Sequence, residues 1–209
     1  MLLLADDFFL VAHDSISMKC RLSDRAVRLG LAGALLGEQV LFRRINVRGG
    51  RLRVVDSTPP RDALAHTVLD HLLAEPGVTS VRDWLRFLAR DAYEKVSQRL
   101  VREGHVHVRE ERRFLRVTTV LEPTVTTRSG WPESRLASRL SKGTALEPPD
   151  VVLGGLIAAT GLDAYVLADT PPHARPYLHR MVAILPPSMR EVVAQTAAAV
   201  GDAVLNART

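Results

Sequence analysis

The chain has 209 residues, of which 46% are hydrophobic and 24% charged, with a mean hydropathy of +0.04; this is globular composition and excludes wholesale disorder. No apolar run approaches the roughly 20 residues of a membrane-spanning helix, and the single cysteine, Cys20, excludes an internal disulfide framework, favours a cytoplasmic compartment and reads as a small apolar filler. A formal charge of +5 and a pI near 10 point to polyanionic partners or an anionic membrane surface.

The first segment, Leu2 to Ala12, is apolar but interrupted by Asp6 and Asp7 and preceded by no basic stretch. It is therefore read as a buried helix and not a signal peptide. Ser23-Asp24 is a plausible N-cap for a helix from Arg25 to Leu41, in which Gly30 and Gly33 lie on one face and allow another backbone to come close. Phe42 to Val47 and Arg51 to Val55 flank Arg48-Gly49-Gly50, a hairpin turn. After the break at Pro59-Pro60, Asp62 to Ala74 is an amphipathic helix with Leu64, Val68, Leu69 and Leu72 on one face. Ser80 to Ala89 is a short helix around Trp84 and Leu88, followed after Arg90 by another that runs to Glu103 and stops at Gly104. His105 to Val108 and Phe114 to Val120 alternate about Glu110-Glu111-Arg112 and form a second hairpin. Pro123 and Trp131-Pro132 mark a loop. Helices follow at Glu133 to Ser141, Asp150 to Thr160, Arg175 to Leu185 and Ser188 to Asn206, the last with a small-residue stripe of Val192, Val193, Ala197, Val200 and Val204. The fold class is thus mainly α, a single compact helical domain over residues 1–209 decorated with two or more β-hairpins.

Charge is unevenly spread. Residues 19–53 hold nine basic residues against Asp24 and Glu38, and residues 82–116 hold ten against six acids, leaving an acidic remainder. Each basic block belongs to one helix-hairpin unit. Blocks on one surface would attract an anionic leaflet, at about 1 kcal/mol per basic residue near lipid.

Catalytic signatures are weak, and no enzyme activity is expected. His66 and His71 are five apart and miss the helical metal-ligand spacing, while His105 and His107 share a strand face without a third ligand nearby. Ser17, Ser80 and Ser129 lack a nucleophile elbow, and Gly30-Leu31-Ala32-Gly33 lies inside an apolar helix, so it packs and does not cradle phosphate. No metal or cofactor is expected.

Several segments together resemble the Golgi phosphoprotein 3 family. Leu3 to Ala12 looks like its leucine-rich opening helix with an acidic pair, and Leu29 to Leu41 like its glycine-containing second helix. Arg61-Asp62-Ala63-Leu64 followed by Val81-Arg82-Asp83-Trp84-Leu85 is similar to its leucine-rich helix and tryptophan helix. Val96 to Gly104 with His105 to Val120 resembles its helix and hairpin, and Val152 to Leu162 its leucine-rich helix after the linker. The chain looks most like the shorter bacterial, actinobacterial-type members. The resemblance implies a non-catalytic peripheral membrane protein, cytoplasmic on the inner membrane face, that binds phosphatidylinositol 4-phosphate-like head groups on a basic face. It also implies self-association through the 105–120 hairpin and leaves room for a protein cargo; the 192–204 stripe is the competing interface.

In that family the head group is held by a tryptophan before the glycine helix, an arginine within it, and two arginines on the helix preceding the second hairpin. The resemblance places these positions at Ser23, Ala32, Arg90 and Tyr93, so Arg90 alone keeps the family's residue. Arg25, Arg28 and Lys95 lie within a turn or two and can supply charge, since guanidinium forks suit phosphate oxygens. The candidate head-group set is therefore Arg90, Arg25, Arg28, Tyr93 and Lys95. A winged-helix nucleic-acid binder is the alternative, with Arg90 to Arg102 as recognition helix and Glu110 to Arg113 as wing tip, although the acids in both segments oppose it.

Overall fold

The acidic pair Asp6-Asp7 is buried, and each carboxylate receives its own arginine. A computed structural model describes residues 2–113 and 116–206. In it α1 (Leu4–Val11) is buried on every side and packs against α2 (Asp24–Leu41), which in turn meets most of the other helices. Ser23 caps α2 by accepting from the Ala26 N–H at 3.3 Å. A hairpin follows, β1 (Ile45–Arg48) and β2 (Arg51–Val54), closed by Gly49 and Gly50, both at positive φ as a tight two-residue turn requires.

Next come α3 (Ala63–Ala74), α4 (Val81–Leu88) and α5 (Ala92–Arg102). Arg99 of α5 is fully buried, because its Nε donates to Asp6 at 2.7 Å, its Nη2 to Glu38 of α2 at 3.0 Å and its Nη1 to Asp62, the N-cap of α3, at 2.9 Å. One guanidinium therefore ties four helices, and its partners satisfy a charge that burial would otherwise make costly. Burial pushes the Asp6 carboxyl up to about 6 and that of Glu38 to about 7, against the pull of Arg99. The second half of the acidic pair, Asp7, receives Arg135 at 2.8 Å, and Arg135 also holds Asp150 at 2.8 Å.

The second hairpin is longer than the apolar alternation suggests. Strands β3 (Val106–Arg113) and β4 (Arg116–Pro123) pair antiparallel from Val106↔Pro123 to Arg113↔Arg116. Glu110, Glu111 and Arg112 are thus ladder residues and not the turn, since backbone pairing needs no apolar side chain. Phe114 and Leu115, expected to begin the returning strand, lie outside the described residues. Pro123 closes β4 where its missing N–H is tolerated.

Trp131-Pro132 is likewise not a loop: it is the first turn of α7 (Trp131–Lys142), where proline is at home. A short helix α6 (Thr126–Ser129) precedes it, and α8 (Pro148–Thr160), α9 (Asp163–Val166), α10 (Ala174–Ala183) and α11 (Pro187–Asn206) complete the chain. Of the α11 stripe, Val192, Val193 and Val200 are buried where the helix packs on α2, α8, α4 and β1, while Ala197 and Val204 are exposed. Gly33 lets α11 approach: a Cβ there would meet Thr196 and Leu156.

Candidate functional site

Five arginines surround one cleft of about 410 Å³ between α2, α4 and α11. Helix α4 buries Val81, Trp84, Leu85 and Leu88, so Arg82 and Arg86 face outward on the opposite side, with Arg90 one further turn along. Ser80 caps this helix by accepting from the Asp83 N–H at 3.3 Å, and the Trp84 indole donates to the Val78 carbonyl at 2.8 Å, fixing its roll. On α2 the buried Ala26, Val27, Leu29 and Gly30 leave Arg25 exposed and Arg28 half-buried at the cleft rim. Ala199 and Asp202 of α11 supply the far wall, and Asp24, Leu29 and Ala89 complete the lining.

The five cations differ in how far they are already committed. Arg28 donates to both Glu94 oxygens at 2.7 and 2.6 Å, to Asp24 at 2.9 and 3.0 Å, and to the Arg90 carbonyl at 3.1 Å. Hydrogen bonding to Glu94 and then Asp24 raises its pKa still further, and the same contact holds the Glu94 carboxyl below the usual carboxylate range. Arg82 reaches Gln195 and Asp202 at 3.2 Å, and Arg86 reaches Asp83 at 3.2 Å. Arg25 and Arg90 enter no ion pair among the described residues. The Arg90 guanidinium rests over the Phe87 ring, 5.9 Å from its centroid.

Of the sequence-predicted set, Arg25, Arg28 and Arg90 come together here. Tyr93 and Lys95 do not line the cleft. The Tyr93 hydroxyl meets His13 Nε2 at 3.0 Å, and His13 Nδ1 donates to the Phe9 carbonyl at 2.7 Å, so the imidazole accepts from the phenol. Burial lowers the His13 pKa and raises that of Tyr93, which keeps both neutral. Lys95 is held by Asp91 at 2.8 Å, one turn back on its own helix. Sequence reasoning missed Arg82 and Arg86, although the spacing of four residues from Arg82 to Arg86 to Arg90 was the signal for one helix face. The start of α5 carries Asp91 and Glu94, which pair with Lys95 and Arg28, so carboxylates crowd that helix terminus.

A family model for Golgi phosphoprotein 3 (GPP34) matches residues 4–206, nearly the whole chain. The chain belongs to the Golgi phosphoprotein 3 family. A comparison with curated proteins finds no match. In this Golgi phosphoprotein 3 chain, Ser23, at the position the resemblance equates with the tryptophan, caps α2, and Ala32, at the position of the helix arginine, is fully buried. Neither position can supply charge to a ligand. The cations that line the cleft instead come from Arg25 and Arg28 earlier on α2 and from Arg82 and Arg86 on α4.

No described helix is long and apolar enough to cross a membrane. Helix α5, the recognition helix of the nucleic-acid reading, spends Arg99 in the core and Lys95 on Asp91. His107 faces Glu122 at 3.2 Å and His105 lies 3.6 Å from Glu103.

Proposed function

We propose that this chain is a peripheral membrane protein of the inner membrane face, one that takes the phosphorylated head group of an anionic lipid, a phosphoinositide such as phosphatidylinositol 4-phosphate, in the arginine cleft. One observation carries the reading: five guanidinium groups line a single cleft, and two of them, Arg25 and Arg90, have no carboxylate partner among the described residues. Planar forks with several donors match phosphate oxygens bidentately. Arg28 acts through position, because its bond to the Arg90 carbonyl sets the backbone from which the Arg90 side chain leaves.

The cleft is suited to binding an anion. Its lining sets five guanidinium groups against the two carboxylates of Asp24 and Asp202, together with apolar side chains. The chain is read as a non-catalytic adaptor.

Flotation with phosphatidylcholine vesicles, with and without phosphatidylinositol 4-phosphate, tests this. A charge-assisted phosphate contact is worth about 1.5–3 kcal/mol, so Arg90→Ala should lower phosphoinositide binding by about ten-fold or more while the melting temperature holds. Arg128→Ala, an exposed arginine of α6 away from the cleft, should bind as wild type. Equal losses from both variants would reduce the effect to diffuse charge and refute a head-group site.

A further inference from the structure

The first hairpin has an outward face that the cleft does not explain. Ile45, Val47 and Leu52 point inward and are buried, while Asn46, Arg48, Arg51 and Arg53 alternate with them and are exposed. Both edges are covered. Along β2, the Leu52 N–H donates to the Thr79 carbonyl at 2.6 Å and the Val81 N–H to the Gly50 carbonyl at 3.0 Å. Along β1, the Val47 N–H donates to Ser188 Oγ at 3.2 Å, and at the turn the Gly50 N–H donates to Glu191 at 2.8 Å. The ribbon is thus hydrogen-bonded along both edges and at the turn as a plate, and its polar face is the surface left open.

The charges on that face oppose one another. Register places Arg48 directly across from Arg51 and Asn46 across from Arg53, and like charges in facing positions destabilise a strand pair. None of the three arginines enters an ion pair among the described residues. A local rule broken without compensation inside the protein marks a surface arranged for something outside it. A hollow of about 510 Å³ lies along this face. The face also runs into the wall of the arginine cleft, because Arg51 bridges to Ser80, the cap of α4, two residues before Arg82.

We propose that this outward face, centred on Arg48, Arg51 and Arg53, is a second membrane contact that lies on the surface of an anionic phospholipid bilayer while the cleft holds a single head group. The inference rests on the membrane reading above and divides the labour within it: the cleft recognises a phosphorylated head group, and the plate responds to the surface charge of the surrounding lipid. An arginine near an anionic leaflet contributes about five-fold in partitioning, so three contribute on the order of 100-fold.

The test compares the full chain with R48Q/R51Q/R53Q and with R25Q/R90Q. Each is assayed by flotation on phosphatidylcholine vesicles containing phosphatidylglycerol and by calorimetry with soluble inositol 1,4-bisphosphate. The hairpin variant should lose about 100-fold in vesicle partitioning with a flatter salt dependence, keep its affinity for inositol 1,4-bisphosphate, and melt no lower than wild type because the Arg48–Arg51 repulsion is gone. The cleft variant should lose inositol 1,4-bisphosphate. A hairpin variant that floats like wild type overturns the plate and leaves the cleft standing, as does wild type that binds inositol 1,4-bisphosphate but ignores the phosphatidylglycerol vesicles. Wild type that binds neither probe overturns the proposed function itself. In a gel shift with duplex DNA at matched salt, a hairpin variant that loses DNA binding but keeps vesicle binding overturns the membrane plate and reassigns the face to nucleic acid.

Discussion

Glu94 of α5 takes two hydrogen bonds from the Arg28 guanidinium of α2, at 2.7 and 2.6 Å, and so restrains one of the five cleft arginines. The pair is half-exposed on the acid side, where solvent limits such a bridge to about 0–1 kcal/mol of stability. Its larger effect is on charge at the cleft. Glu94→Gln removes one negative charge beside the site while Arg28 keeps Asp24 and the Arg90 carbonyl as partners. The variant should bind inositol 1,4-bisphosphate several-fold more tightly, with a steeper salt dependence and a melting temperature within a few degrees of wild type. Weaker binding would show that Glu94 orients Arg28 for the ligand and does not merely neutralise it.

The buried Arg99 network gives a pH dependence of determinate sign. Burial raises the Glu38 carboxyl to about 7, above the 4.5 of the unfolded chain, so the folded state binds the proton more tightly. This contribution is fully present below 4.5 and is lost as pH rises through 7, a change on the order of 2 kcal/mol between pH 5 and pH 8. Gln at this position does not titrate. The margin in stability between wild type and Glu38→Gln should therefore move in the variant's favour from pH 5 to pH 8, read from denaturant midpoints. Working with the difference between the two proteins cancels His13, whose lowered pKa gives the opposite trend in both, whereas Asp6, raised to about 6 on the same Arg99, titrates with Glu38 and in the same direction. A margin that does not change with pH would mean that Glu38 stays in one protonation state throughout.

What was legible in the sequence was local. The cap at Ser23, the Gly49-Gly50 turn and the helical stripes of α3 and α4 each follow from neighbours a few residues apart, and the structure has them. The length of the second hairpin was hidden because its middle is charged, and pairing there is written in the backbone. Arg99 looked like one more cation of a basic block, yet it stands with Ala92, Val96 and Leu100 on the buried stripe of α5, so its burial was readable from periodicity. Its partners were not, since Asp6, Glu38 and Asp62 come from three other elements. The cleft was half legible for the same reason: α4 spacing aligns Arg82, Arg86 and Arg90, but only tertiary packing brings Arg25 and Arg28 to them.

The cleft keeps its shape because α2 and α11 lie close together, and two glycines test that dependence from opposite directions. A Cβ on Gly33 would run into Thr196, whose fully buried hydroxyl donates to the Val192 carbonyl at 2.8 Å and cannot give way without losing that bond. Overpacking of this kind costs about 1–3 kcal/mol. Gly201, exposed on the same helix α11, has open space where its Cβ would stand, and alanine there should stabilise by about 0.5–1 kcal/mol through helix propensity and a more restricted unfolded chain. Gly33→Ala should thus lower the melting temperature and weaken inositol 1,4-bisphosphate binding together, because forcing α11 from α2 displaces the wall that carries Ala199 and Asp202. Gly201→Ala should raise the melting temperature with binding unchanged. Binding that survives Gly33→Ala intact would show that the arginines of α2 and α4 suffice, and that the α11 wall contributes nothing to recognition.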